Sequence, residues 1–355
     1  MSVRDAAKTE ILKNTPVPIS KKAGDTFFDV LEIYLRDKAA EHKDKTWAAT
    51  WRNSMRDYVK PIFKETPINK ITYDMALAVF NRVITVDGEE KTFWLGYTET
   101  ASRVRQRIIT VMKIAAIEPG YDGESPMVWD ARFEKVLPSA ALIKGSENYP
   151  SLPYPLVPAF VAALRKRGGV TAHYLEFLIH TIGPRVTPTL TATWDQMDIE
   201  NKMWTVPRGN LKARKNAVLQ NFVVPLPDRC IQILEEMKKV KQDDFVFPSA
   251  KKGAAMSRSR VTEMIEDMCL KDEKAGIARR WVDPDMDGAR IVPHGFRASF
   301  TSYIQDKLVV ETEIREFALG HKVKGKVGEA YNRGKMLDKR RALMDAWAAH
   351  AEGRI

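Results

Sequence analysis

The stretch from Glu118 to Pro158 constrains this 355-residue chain more than any other. It holds Pro119, Gly120, Gly123, Pro126, Pro138, Gly145, Pro150, Pro153, Pro155 and Pro158. Proline removes a backbone donor and glycine is costly to order, so no long helix or strand is expected to run through it. The chain should therefore form two bodies, and its length allows about two cores. We place a linker over 121–155, crossing near Lys144, between a helical domain at 26–120 and a second domain at 156–334.

Residues 1–25 carry Lys8, Lys13, Lys21 and Lys22 around Pro16 and Pro18 and read as a flexible basic arm. From Thr26 the pattern turns helical. Thr26 is placed to cap a helix in which Phe27, Val30, Leu31, Tyr34 and Leu35 recur at helical spacing. A second helix is expected from Thr46 through Trp47, Trp51, Met55 and Val59 to a stop at Pro61, and a third over 71–84. Between Thr100 and Ile117 there are Arg103, Arg105 and Arg107 but no acid, alongside a stripe of Val104, Ile108, Val111, Met112 and Ala115. That predicts a helix packed by one side and offering DNA-binding cations on the other.

Beyond the linker, 156–167 and 172–182 read as helices, and Arg185 follows Gly183 and Pro184 at a bend. Residues 199–202 read as a turn between two short strands, and Phe222, Val223 and Val224 as a returning strand that ends at Pro225. The loop between, 207–219, carries Arg208, Lys212, Arg214 and Lys215 without an acid. A phosphate backbone would offset that concentration of like charge. The fold class expected is mainly α with a small antiparallel β-sheet.

A formal charge of +11 with 44% hydrophobic residues describes a folded protein with a basic surface, for which nucleic acid is the natural partner. No run approaches the ~18 apolar residues that span a bilayer, and the first ten residues are polar, so no membrane partner and a cytoplasmic place are expected. Cys230 and Cys269 lie inside helix-like patterns, which argues against a disulfide scaffold or a cysteine-based zinc site.

The chemistry-bearing residues crowd between 294 and 331. His294 and Arg297 stand at i and i+3, on one face of a helix. Gly320 before His321 signals a helix end that presents the imidazole at a turn, and Tyr331 sits beside Asn332 and Arg333. Singly these are ordinary: a His-x-x-Arg pair is usually a solvated face and a tyrosine a packing residue. Together they are the set needed to hold a phosphodiester and attack it.

With these residues in hand, the chain resembles the tyrosine recombinases, the phage and genomic-island integrase family. Integrases of satellite phages and islands in particular carry phrases like WDQMDIENKMWTVP, HGFRASF, LGHKV and AYNRG. The resemblance implies a two-domain enzyme, a helical core-binding domain followed by a catalytic domain, that recombines DNA to integrate or excise a mobile element. Its catalytic set would map onto Arg185, Lys212, His294, Arg297, His321 and Tyr331. It further implies double-stranded attachment sites as substrate, a homotetramer on DNA formed from a monomer or weak oligomer, an accessory directionality factor, and a place on the bacterial nucleoid. Neither a metal nor a cofactor is expected.

The chemistry fits those residue types. Attack on a phosphodiester loads charge on its non-bridging oxygens, which Arg185 and Arg297 can each hold through paired hydrogen bonds, with His321 as a third donor. Tyr331 would be the nucleophile, its phenol ionised by the cations or relieved of its proton by His294, and Lys212 would protonate the departing 5′ oxygen. The 3′-phosphotyrosyl bond keeps the energy needed to religate.

Two departures from the family pattern stand out. An acidic residue usually follows the first arginine by three places, where this chain has Pro188, and segment 1–25 is too short for the folded arm-binding domain of larger relatives. A DNA-binding protein with a degenerate recombinase fold and a type IB topoisomerase are the alternative readings. Asp283, Asp285, Asp287 and Gly288 imitate a calcium loop whose twelfth place is His294 instead of a glutamate, and GxxxxGK at 320–326 is followed by Val327, so neither a calcium nor a nucleotide site is expected. Finally, Leu337, Leu343, Met344 and Trp347 mark a C-terminal helix within 335–355. It either packs on its own domain or is exchanged between subunits.

Overall fold

The computed structural model describes residues 25–42, 46–144, 149–211, 221–277, 280–321 and 336–355. The chain divides into two compact units, 1–147 and 148–355.

The first unit is built on helices. Helix α1 (Phe27–Lys38) starts at Thr26, whose hydroxyl accepts from Asp29 N at 3.3 Å while the Asp29 carboxylate accepts from Thr26 N at 2.8 Å. This reciprocal cap satisfies two donors that the first turn leaves open. Phe27, Val30, Leu31 and Leu35 are buried. Helix α2 (Trp47–Ser54) does not stop at Pro61. A π-turn over Met55–Val59, in which Lys60 N–H reaches Met55 O, leads into α3 (Lys60–Phe63) with Pro61 in its first turn. A proline there has no N–H to leave unpaired, so the helical path continues.

The third helix expected is shorter than its sequence pattern. Helix α4 (Tyr73–Asn81) gives way to β1 (Val83–Val86), paired antiparallel with β2 (Glu89–Thr92). Asp87 and Gly88, at φ of 53° and 83°, form the turn. An Asp-Gly pair between alternating residues is a strong local hairpin signal, and it overrides the helical spacing of 71–84. Helix α5 (Phe93–Gly96) then leads to α6 (Thr98–Ala116), which buries Ala101, Val104, Ile108, Val111, Met112 and Ala115.

Part of the linker expected at 121–155 is folded into this unit. Helix α7 (Trp129–Val136) and α8 (Ala140–Lys144) lie within it, and Trp129, Phe133 and Leu137 are buried in the unit's core. Pro126 sits at the start of a 3₁₀ turn, where a missing N–H costs nothing, so proline density here marks helix starts instead of open chain.

The second unit wraps around α10 (Val170–Thr181), which follows α9 (Val157–Arg167) and is buried from Tyr174 to Thr181 without a break. Glu176 is buried inside it because Arg165 and Arg229 donate to its carboxylate at 2.6 to 2.9 Å. A short α11 (Val186–Leu190) precedes a three-stranded antiparallel sheet, β3 (Met197–Asp198), β4 (Met203–Val206) and β5 (Phe222–Pro225), in that order. Helices α12 (Asp228–Lys238) and α13 (Arg258–Lys274) follow. Then comes a small hairpin of β6 (Val282–Asp283) and β7 (Ala289–Arg290). Asp283 spends its carboxylate on Ser151 N at 2.7 Å and Asp285 N at 3.0 Å, so the calcium-like motif is a hydrogen-bonded turn.

Helices α14 (Phe296–Lys307), α15 (Thr312–Ala318) and α16 (Leu337–Ala351) complete the unit. In the single chain the C-terminal helix α16 packs on its own unit. Leu343, Met344 and Trp347 join its core, Trp347 Nε1 donates to Ile179 O at 2.8 Å, and the buried Arg340 donates to Val223 O at 2.7 Å. Among the described residues no helix is long and apolar enough to cross a membrane.

Candidate active site

Three loops of the second unit meet around Arg297. The first is the end of α10, where Ile182 adopts φ 46°, ψ −45°. A β-branched residue rarely accepts a positive φ. Here the reversal turns two carbonyls inward, and Arg297 Nη1 donates to Ile182 O at 2.7 Å and to Gly183 O at 2.9 Å. Gly183 must be glycine, because a Cβ would run into Ala318 O and the Phe222 ring.

The second loop ends α15. Gly320 has φ 65°, its N–H reaches Phe317 O at 3.0 Å, and His321 N–H reaches Glu316 O at 2.8 Å. This pair of bonds is the glycine-terminated helix end that Leu-Gly-His encodes. It leaves Leu319 O to accept from Arg297 Nη2 at 2.6 Å and places His321 Nε2 2.9 Å from the same nitrogen. A guanidinium cannot accept, so the Nε2 lone pair receives the bond and the ring proton sits on Nδ1, 2.7 Å from the Glu316 carboxylate. Glu316 thus fixes the tautomer and orientation of His321.

The third loop is the 3₁₀ turn Pro293–Gly295 that opens α14 and carries His294. A Cβ on Gly295 would strike Pro150 O, so this turn also requires glycine. The His294 ring meets Tyr149 edge-on at 4.6 Å. Burial, then the charges of Arg297 and Arg185, push its pKa down from 6.5 to about 4, so the ring is neutral at neutral pH. Arg297 is lowered to about 10 by burial and by Arg185, against the pull of Glu316, and remains a cation. Arg185 stands just before α11. It lines one small cleft with Leu178, Ile182, Pro184, His294 and Arg297.

The structure therefore gathers four of the six residues singled out as catalytic: Arg185, His294, Arg297 and His321. Lys212 and Tyr331 lie outside the described residues, as do Arg214 and Lys215 among the candidate DNA contacts. The two arginines differ more than their residue type suggests. Both Nη groups of Arg297 are spent on carbonyls and His321, which leaves Nε–H and the exchangeable His321 contact for a ligand. Among the described residues, Arg185 has no carboxylate within salt-bridge reach, and its fork is open. The expectation of an equal paired grip is corrected accordingly.

The cationic face expected on α6 is also corrected. Arg107 is half-buried, donates to Thr50 O at 3.2 Å and to Ser54, and lies 5.2 Å from the Trp51 ring. Arg105 is 15% exposed, near Asp130, Glu134 and the Trp94 ring. Only Arg103 of the three projects outward, paired along the helix with Glu99. Arg208 begins a 3₁₀ turn over Arg208–Asn210 and is exposed. Among the described residues no cluster of three or more His, Cys, Asp or Glu is placed to hold a metal ion.

Two neighbours of the site escaped the sequence reading. Glu316 precedes His321 by five residues, and the helix end at Gly320 was the signal that could have paired them. Arg258, at the start of α13, donates to Thr187 Oγ1 beside Arg185 and adds to the charges that lower His294. With Arg258 71 positions after Thr187, no local pattern pointed there.

Comparison with known proteins fits this geometry. A model described as the phage integrase family matches residues 157–337, and another described as the phage integrase central domain matches 27–131. The prophage integrase IntS of Escherichia coli (strain K12) is 24% identical over 318 residues, 87% of this chain and 72% of that protein. The integrase of Shigella phage Sf6 matches with the same identity and coverage. Among solved structures, the Tn1549 transposon integrase in complex with circular intermediate DNA shares the fold with a TM-score of 0.55 and 14% identity, over 88% of this chain and 99% of that one. A lambda integrase tetramer bound to a Holliday junction gives 0.56 and 14%, over 91% and 86%. The chain belongs to the phage integrase family, the tyrosine recombinases, and is a site-specific DNA recombinase that cleaves and rejoins DNA strands.

Proposed function

We propose that the cleft at Arg185 holds the phosphodiester that is cut, and that the chain integrates or excises a mobile element there. The observation that carries this reading is a neutral histidine, His294, beside two guanidiniums in one cleft. Phosphate enters on the open fork of Arg185 and on Arg297 Nε, and displaces His321 from Arg297 Nη2. His321, held at Nδ1 by Glu316, then takes a proton from solvent on the freed Nε2 and gives the third contact through it. Neutral His294 accepts the phenol proton as Tyr331 attacks, and a 3′-phosphotyrosyl bond replaces the phosphate's bond to the 5′ oxygen. Lys212 gives that oxygen its proton. A second 5′ hydroxyl then reverses the step on a new partner strand, without nucleotide or metal.

By the same reading the chain works as a homotetramer on double-stranded attachment sites of the bacterial nucleoid, is a monomer or weak oligomer off DNA, and takes its direction from an accessory factor. The lambda integrase tetramer on a Holliday junction supports the assembly. Of the residues proposed to touch DNA outside the cleft, Arg103, Arg208, Arg214 and Lys215 remain, since Arg105 and Arg107 are turned inward.

A pool of nicked duplexes with a randomised centre tests the chemistry. Protein should become covalently attached to a subset sharing one sequence, and Tyr331→Phe should abolish the adduct. An adduct that survives in Tyr331→Phe removes the nucleophile assigned here. Adducts on all sequences, with relaxation of any supercoiled plasmid, would identify a topoisomerase. DNA binding with no adduct would identify a degenerate fold.

A further inference from the structure

Many arginines of the second unit are paired with acids, whereas among the described residues Arg258, like Arg185 and Arg260, is not. Arg165, Arg167, Arg229, Arg280, Arg290 and Arg315 each have a carboxylate within salt-bridge reach. Among the described residues Arg258 has none, although its side chain is exposed on a helix that also carries Glu263 and Glu266. What holds it is Thr187 Oγ1, which accepts from Nη2. Thr187 is two residues past Arg185, and its neighbour Val186 lines the same cleft as His294 and Arg297. Tyr174, whose hydroxyl donates to Val186 O at 3.1 Å, lies close enough to feel the Arg258 charge, and so does His294.

One bond to a neutral hydroxyl leaves most of the guanidinium's five donors unspent, and the Thr187 hydroxyl keeps its own proton to give. The residue three places after Arg185 is Pro188, which is buried and carries no charge. Arg185 and the Thr187-bound Arg258 therefore stand along one short segment as like charges, and among the described residues neither has a carboxylate within salt-bridge reach. A dianionic ligand or two adjacent monoanions would complete the arrangement, and a DNA backbone supplies the second.

We propose that Arg258, seated by Thr187, is a further phosphate ligand of the cleavage site and binds a phosphodiester of the cleaved strand. The inference rests on the cleft being the DNA-cleavage site, and it adds a third guanidinium to Arg185 and Arg297. Its phosphate is either the one that is cut or the one next to it.

The experiment uses the full chain, with the enriched sequence as an intact duplex for equilibrium binding and as the nicked duplex for adduct formation. Equilibrium binding over a salt series should lose about one unit of the log–log salt slope in Arg258→Ala, as expected for one lost phosphate contact. Arg258→Lys should keep the slope. The rate of adduct formation should fall about tenfold or more in Arg258→Ala, the loss expected for a charge-assisted hydrogen bond. It should recover in part with added guanidinium ion, which a merely structural role would not allow. Methylphosphonate, which removes one phosphate charge, should abolish the Ala-versus-parent difference when it replaces the phosphate that Arg258 holds; placing it at the cut or beside it tells the two apart. Parental slope and adduct rate in both variants would overturn the proposal. Because the slope is read without cleavage, it judges Arg258 even if Tyr331→Phe fails to abolish the adduct and the underlying reading falls.

Discussion

Arg185 and Arg297 carry the same group into one cleft, and the structure expects their removal to do different things. Arg297 is a strut. Its four Nη hydrogens hold Ile182 O, Gly183 O, Leu319 O and His321, and so tie the end of α10 to the end of α15. Alanine at 297 strips three carbonyls of a charged donor in a region where Ile182 and Leu319 are 2% and 4% exposed. At about 1 to 1.5 kcal/mol for each, the loss is roughly 3 to 4.5 kcal/mol. For a unit of this size that lowers the melting temperature by about 6 to 18 °C. Arg185→Ala removes no such bond and should stay within about 0.5 kcal/mol of the parent. Arg297→Lys, with one compact ammonium, should fall between. Calorimetric melting of the full chain and the three variants checks this, with adduct formation measured below every melting point. Both alanine variants should lose the adduct, and only Arg297→Ala should lose stability. If Arg297→Ala melts with the parent, or Arg185→Ala drops as far, the strut does not exist.

Other outcomes follow from the same site. His294 binds its proton at about 4 in the fold and at 6.5 when unfolded, so between these values the unfolded chain holds more protons and stability falls as pH is lowered. Because the ring is only half-buried, about 1 to 2 kcal/mol should be lost between pH 6.5 and 4, and urea titrations of His294→Gln should lack that part. Gly295→Ala forces a methyl onto Pro150 O and should cost about 2 to 3 kcal/mol by chemical denaturation, with no change expected only if the turn can move aside. Glu316→Ala should slow adduct formation with little loss of DNA affinity, while Glu316→Gln, which still accepts from Nδ1, restores part of the rate; equal rates in both would remove Glu316 from the positioning of His321.

How much of this was legible in the sequence depended on how far apart the interacting residues lie. The cap at Thr26, the turn at 199–202 and the helix end at Gly320 rest on bonds between residues at most five apart, and each could be read from residue type and spacing. The β1–β2 hairpin was equally local, through Asp87 and Gly88, but the helical spacing of 71–84 hid it. The linker was misplaced for a related reason: proline near 126 fits a helix start as well as an open loop, and only the burial of Trp129 and Phe133 decides between them.

The sequence alone determined which residue types the site contains and which backbone turns present them, because glycine at 320 and the His-x-x-Arg spacing act within a few residues. Tertiary structure decided what those side chains are free to do. Arg105 and Arg107 looked like open cations until Trp94, Asp130, Trp51 and Ser54 came against them from other helices. Arg297 looked like a pure ligand until carbonyls 115 and 114 residues away took up its donors. Arg258 looked like one surface arginine among many until α13 brought it to Thr187. Charge and pattern belong to the chain, but the partner that consumes or frees a guanidinium is set by long-range packing, which no local spacing encodes.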